Sequence, residues 1–423
     1  MRYAYINGII LDGTKDMTPQ TDRIILTDGD KIAAIVPTDA DLTDCEIIDL
    51  AGRYIMPGLI NLHVHLPGDG QPVDLSAAAA DMAKDPAALV NYLYTMCVRS
   101  AQTELYSGVT TIRTVGGVQN IDTQLRERIQ RGELDGPRIL ASNMAVSVPG
   151  GHMAGTLAYI ANSAEEARAY VQKIAQDKPD LIKLMVTGGV LDAKVKGEPG
   201  ELKMPSEYVE AACTEAHRLG LQVAAHVESP QGVQVALANG VDTIEHGAEP
   251  DAAILALYKE RSASFVATIS PSIPFVAFDP AVSHISELEK YNGTIVFEGV
   301  ISCAKACMAN GIPVGLGTDT GCPYITHYDM WRELYYFHKY CGVSTAYALH
   351  TATEVNAQIA GIGEVTGTIA PGKCADLIVC AQNPLDDLQA LRQLDMVVAR
   401  GRIINAPAPE KYPEIDALLD QYL

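Results

Sequence analysis

Eight short apolar runs recur through the middle of the chain, at 59–65, 109–114, 138–142, 181–186, 222–226, 242–246, 264–270 and 313–319. Longer stretches rich in Ala, Glu, Leu and Gln lie between them, as at 164–176, 206–219 and 231–239, and these have a helical pattern. Strands that alternate with helices pair in parallel through right-handed crossovers. Eight such units close on themselves, so the pattern predicts an α/β fold of the (β/α)8 TIM-barrel type. An open doubly wound sheet is the competing arrangement, but no Gly-rich dinucleotide loop follows any of the runs.

The two ends of the chain have a different texture. Residues 3–10, 23–27, 31–36 and 46–49 are β-rich and are broken by Asp12-Gly13 and Asp28-Gly29-Asp30. Similar segments return at 375–380 and 396–404. The division expected is a small β-sandwich domain from 1–57 and 360–408, a catalytic barrel at 58–359, and an amphipathic C-terminal helix within 409–423.

Composition narrows the function. With 423 residues, the chain is long enough for a barrel of about 250 residues plus a second unit. A hydrophobic share of 48% and a charged share of 20% are those of a globular protein. The net charge of -21 argues against nucleic acid as a partner, because phosphate binding needs a basic surface. No apolar run reaches the roughly 18 to 20 residues that span a bilayer, and the N-terminus carries no signal-type apolar core. The nine scattered cysteines then read as reduced thiols, and the expected location is the cytoplasm. The expected partner is a small-molecule substrate, with a homo-oligomer open.

Candidate chemistry lies at the ends of the predicted strands, where barrels of this type place their active sites. The first strand ends in His63-Val64-His65, and strand alternation puts both imidazoles on one face. The fourth carries Lys183 inside Leu181-Ile182-Lys183-Leu184-Met185-Val186. Burying an ammonium is costly, and burial lowers its pKa and frees the amine. A neutral amine can take up carbon dioxide and become a carbamate, an anion able to bridge two metals. The fifth strand ends in His226, the sixth in Glu245-His246-Gly247, and the eighth in Gly317-Thr318-Asp319. Each of these residues alone is unremarkable, but their joint placement on strand ends points to a metal site.

The order His63-x-His65, Lys183, His226, His246, Asp319 resembles the amidohydrolase superfamily. Pro57-Gly58-Leu59-Ile60-Asn61 looks like its lead-in, and residues 367–377 like its closing strand pair. The run from Ile182 through Val190 is similar to the metal-dependent Xaa-Pro/Xaa-Arg dipeptidase group, which is related to imidazolonepropionase. The resemblance implies two divalent ions, zinc by preference, and an N-carboxylated Lys183. His63, His65 and Asp319 would hold the first ion and His226 and His246 the second. Lys183 and a hydroxide would bridge them, and Asp319 would double as the acid/base. The implied reaction is cleavage of an amide in a dipeptide or N-acyl amino acid by metal-activated hydroxide. Hydrolysis of a cyclic amide or imidazolone-like ring is the alternative, and a noncatalytic binding protein on an inherited barrel is a further one.

Four residues carry the substrate clues. His152 follows Gly150-Gly151, and a similar imidazole in relatives points at the substrate carbonyl or carboxylate. Arg113 either anchors a substrate carboxylate or pairs with a barrel acid. Glu228 stands where relatives often carry a tyrosine. It would welcome a cationic group, or else pair with Lys194, Lys196 or Lys203. Tyr324, with His327 beside it on the last loop, is within reach of a substrate.

Overall fold

A computed structural model describes residues 1–72 and 85–423. Its centre is a TIM-barrel-like α/β domain. One parallel sheet runs in the order Ala158–Ile160, Ala145–Ser147, Leu181–Met185, Gln222–Val227, Thr243–His246, Ser264–Ala267, Val314–Leu316. A second runs in the order Leu59–Val64, Val109–Thr114, Arg138–Leu140. Backbone bonds stitch the two sheets together at both seams. On one side the Asp319 N–H donates to the His63 carbonyl (2.9 Å) and the His65 N–H to the Thr320 carbonyl (3.0 Å). On the other the Asp180 N–H donates to the Ala141 carbonyl (2.7 Å).

The third expected strand, 138–142, is the one that differs. It splits into Arg138–Leu140, paired with the second strand, and Ala145–Ser147, paired with the fourth. Asn143 between them is left-handed (φ 58°), which turns the chain from one neighbour to the other. Its carbonyl accepts the Gly117 N–H at 2.8 Å, so the turn still serves the seam.

Helices fall between the strands and are capped by the sequence. Ser163 accepts the Glu166 N–H at the start of Ala164–Ala175, with Glu165 and Glu166 in the first turn favouring the positive end of the helix dipole. Ser286 and Glu289 form a reciprocal capping box on Glu287–Ala309. Among the described residues no helix is long and apolar enough to cross a membrane.

Both termini contribute to two smaller sheets. One has the order Lys31–Pro37, Arg23–Asp28, Arg2–Ile6, Glu46–Asp49, and the other Arg402–Asn405, Met396–Ala399, Leu377–Cys380, Tyr54–Pro57, Ile9–Ile10. They share an apolar cluster that includes Tyr5, Ile25, Ile55, Leu377 and Val398. Asp376 joins this unit to the barrel, its carbonyl accepting the Gly58 N–H (2.9 Å) and its carboxylate an Arg138 Nη2–H (2.8 Å). The C-terminal helix, Pro413–Leu419, is pinned by the buried Arg332 guanidinium, which reaches Asp416 (2.9 Å) and Asp420 (2.7 Å).

Candidate active site

The strand ends converge on one cavity of 490 Å³. Its lining includes His63, His65, His152, Lys183, His226, Glu228, His246, Asp319 and Tyr324. These residues come from the first, fourth, fifth and sixth strands and from loops after the third and eighth. Two groups of possible metal donors stand out. His63, His65 and Asp319 have ligand atoms within 4.8 Å of one another, and so do His226, Glu228 and His246. The two groups adjoin, with ring centroids of His63 and His246 4.8 Å apart.

Hydrogen bonds decide which ring nitrogen each imidazole presents. His63 Nδ1 lies 2.9 Å from Glu245 Oε2, and His65 Nδ1 lies 2.9 Å from the Gly116 carbonyl. His246 Nδ1 lies 2.7 Å from Thr268 Oγ1, and His226 Nε2 3.3 Å from the Gly188 carbonyl. Nε2 of His63, His65 and His246 and Nδ1 of His226 are therefore the nitrogens left for another partner. His63 Nε2 is buried with no hydrogen-bond partner among the described residues, while Asp319 Oδ1 lies 3.3 Å from Nε2 of both His63 and His65. Burial, then the positive neighbours, push the His226 and His246 imidazoles well below their usual pKa, which keeps them neutral.

Lys183 is 1% exposed and its Nζ has no hydrogen-bond partner among the described residues. Burial brings its pKa down to about 8, against the opposing charges of Glu245 and Asp319. An orphaned buried amine beside uncommitted imidazole nitrogens and a carboxylate is a donor set suited to divalent ions.

Two of the donors carry backbone strain. His246 (φ 68°) and Asp319 (φ 59°) are both left-handed, a conformation costing on the order of 1 to 3 kcal/mol per residue. For His246 the reason is geometric. Consecutive strand residues point to opposite faces, yet both Glu245 and His246 turn toward His63. The left-handed twist at the strand's last residue makes that possible. Gly317 serves the seam between the eighth and first strands, because a Cβ there would collide with the His63 Cβ.

The substrate residues fare differently. His152 lines the cavity, its Nδ1 2.5 Å from Asp192 Oδ2 and its ring stacked on His226 at 4.1 Å. Asp192 also accepts the Gly189 N–H at 2.9 Å. Tyr324 lines the cavity, but its hydroxyl donates to the Val282 carbonyl (3.0 Å). Arg113 is not part of the lining. Its guanidinium donates to Glu245 Oε1 (2.7 Å), Thr243 Oγ1 (3.1 Å) and the Leu62 carbonyl (2.8 Å), so it takes the pairing with a barrel acid. His327 is also outside, held between Glu104 (3.1 Å) and the Gly68 carbonyl (2.7 Å). Glu228 pairs with none of the three nearby lysines. Its Oε2 is buried without a partner among the described residues, and burial followed by the charge of Asp319 raises its pKa to about 8.

Two residues that sequence reasoning left unassigned matter here. Glu245 joins Arg113 to His63, and Arg113, outweighing burial, keeps its carboxyl well below the usual carboxylate range. Asp192 orients His152. Glu245 was traceable in the Glu-His pair ending a strand. Asp192 lies on a loop and gave no periodic signal.

Such a fold and donor set define a class of hydrolase. The family model described as "Amidohydrolase family" matches residues 54–404, and the chain belongs to that family. It is similar over its whole length to the crystal structure of a Bifidobacterium longum protein provisionally assigned as a prolidase. The identity is 35%, coverage is 100% of this chain and 99% of that one, and the TM-score is 0.89. A Xaa-Pro dipeptidase with methionine bound in its active site is 28% identical, covering 96% of this chain and 100% of that one, with TM-score 0.82. Ochratoxinase of Aspergillus niger is 25% identical over 420 residues, 91% of this chain and 82% of its own. The protein is an enzyme of this family, a hydrolase acting on C–N bonds of small molecules.

Proposed function

We propose that the protein is a binuclear metal-dependent amidohydrolase that cleaves the amide of a dipeptide, of Xaa-Pro or Xaa-Arg type, or of an N-acyl amino acid. The observation that carries this reading is the orphaned Lys183 Nζ in a cavity it shares with the imidazoles of His63, His65, His226 and His246 and with Asp319. The residues fit two divalent ions, zinc by preference: His63, His65 and Asp319 would hold one, His226 and His246 the other, and an N-carboxylated Lys183 would serve both. When bound, such ions lower the pKa of water toward about 7 and polarise a carbonyl.

The chain's own residues do the rest. Asp319 accepts the proton of the attacking water at its carboxylate and hands it to the departing amine nitrogen. His152, its Nδ1 fixed by Asp192, presents Nε2 to the substrate carbonyl oxygen. Tyr324 lines the same cavity and ties its loop to the Val282 carbonyl. Arg113 serves the site through Glu245 and His63. The division at 1–57 and 360–408, 58–359 and 409–423 makes the terminal sheets a small β-sandwich beside the catalytic barrel. The acidic balance supports a cytoplasmic enzyme that works without nucleic acid or membrane.

Chelation followed by metal analysis and a panel of Xaa-Pro, Xaa-Arg and N-acyl amino acids tests the reading. Activity should vanish on chelation and return with zinc. Turnover of ring amides alone would reject peptide cleavage in favour of the cyclic-amide alternative. A second variant probes the support of His63. Glu245→Gln should weaken zinc affinity by on the order of 10- to 100-fold, because Glu245 fixes the ring and its tautomer. Unchanged affinity in a zinc competition titration would show that His63 needs no such support.

A further inference from the structure

We propose that Glu228 is a ligand of the second ion, completing with His226 and His246 a set of two imidazoles and one carboxylate. The proposal rests on the two-ion reading above and adds one protein ligand to it.

Glu228 lies two residues beyond His226, and alternation along an extended chain puts both side chains on one face. The fifth strand, Gln222–Val227, ends just before it. Its backbone is fixed by the same short segment that orients His226. Thr187 Oγ1 accepts the Glu228 N–H at 3.0 Å and donates to the Gly188 carbonyl at 2.8 Å. That carbonyl in turn lies 3.3 Å from His226 Nε2. Gly200 packs so closely that a Cβ there would lie 2.3 Å from the Glu228 carbonyl carbon. Shared support of this kind is what a pair of ligands to one ion needs.

Glu228 lines the cavity, and its Oε2 is buried without a hydrogen-bond partner among the described residues. The lysines nearest in sequence are engaged elsewhere. Lys203 Nζ sits 2.6 Å from Glu201, and Lys196 lies 4.4 Å from the centre of the Tyr291 ring. The groups that do face the carboxylate are imidazoles. His226, Glu228 and His246 have ligand atoms within 4.8 Å of one another, and the two rings meet edge to face with centroids 4.6 Å apart. Donors of one zinc ion stand about 2.0–2.2 Å from it, hence up to about 4 Å from each other, so atoms already this near need only small rotations to share it.

The charge distribution argues the same way. The first group has two imidazoles and a carboxylate of its own, Asp319. Without Glu228 the second ion would meet two imidazoles and only an anion on Lys183 that it shares with the first. With Glu228 the two ions are provided for equally. A buried carboxylate with an open oxygen and a divalent ion short of negative charge each need a partner of opposite sign, and here they stand together. The added oxygen donor also suits manganese better than imidazoles alone would.

The test is equilibrium binding of zinc and of manganese to the metal-free full-length chain, in bicarbonate buffer, with a competing chelator and elemental analysis of ions per chain. In Glu228→Gln the weaker zinc site should lose affinity by on the order of 100-fold or more, beyond what a merely supporting residue is worth, while the other site keeps its own. Manganese should fall further than zinc, and Glu228→Asp should restore part of both. His226→Ala marks the second ion, so adding Glu228→Gln to it should cost little more. Folding is checked without metal: the metal-free Glu228→Gln chain should melt no lower than the metal-free parent, and zinc should raise its melting temperature less. Two ions held at parental affinity in Glu228→Gln overturn the proposal and leave the two-ion reading standing. An equal loss at both sites with a lower metal-free melting temperature makes Glu228 structural and overturns it too. If the parent takes up a single ion that Glu228→Gln weakens, the ligand role stands and the two-ion reading fails; if the variant leaves that ion untouched, both fail.

Discussion

Replacing Lys183 with alanine is expected to take bound metal from roughly two ions per chain toward one and to remove nearly all turnover. The strand that carries Lys183 is apolar on both sides of it, and Nζ reaches no hydrogen-bond acceptor among the described residues. An unmodified ammonium there gives up its hydration without a hydrogen bond in return, which costs several kcal/mol. A carboxylated amine would remove that conflict, since it is an anion that divalent ions held by the neighbouring donors would neutralise. Lys183→Met keeps the volume and the apolar neighbours, so it separates the loss of chemistry from the loss of packing. Both variants should lose metal and rate, while the methionine variant should melt no lower than the parent when both are stripped of metal. Metal analysis, kcat/KM and thermal unfolding together decide the matter. A Lys183→Ala enzyme that keeps both ions and its full rate would sink the bridging role.

Periodicity made the barrel legible because it concerns burial, which acts on every residue of a strand or helix. The runs at 109–114 and 181–186 reappear as Val109–Thr114 and Leu181–Met185 almost unchanged. The split third strand was not legible. It depends on the left-handed Asn143, whose conformation is fixed by the neighbours it must bridge rather than by its own pattern. The same distinction holds in the cavity. His63, Lys183, His226, His246 and Asp319 could be singled out because each ends or interrupts a strand with a side chain of unusual type. Arg113 was equally visible, but which of its two partners it takes depends on a contact with Glu245, 132 residues away in sequence. The Asp192–His152 pair joins two loops and likewise has no local signature.

Asp319→Asn should leave the fold intact and lower kcat by about 10²- to 10⁴-fold, the usual worth of a placed acid/base. Asp319 is 8% exposed and left-handed, just past the eighth strand. Burial opposes its ionisation, but the neighbouring imidazoles, His63 first, hold it well below the usual carboxylate range. It is therefore ionised and ready to accept a proton at neutral pH. An amide in its place keeps the shape and one ligating oxygen, so the variant would lose the proton transfer before it loses the ion. The diagnostic is the mismatch between two measurements. Metal content should fall modestly, KM little, and kcat by orders of magnitude, with its acidic pH limb gone. For the carboxylate the sign is fixed: activity present above its pKa is lost as pH falls through it. In the variant no such group remains, so the low-pH side of the profile should flatten. A kcat that falls only in proportion to lost metal would make Asp319 a ligand and nothing more.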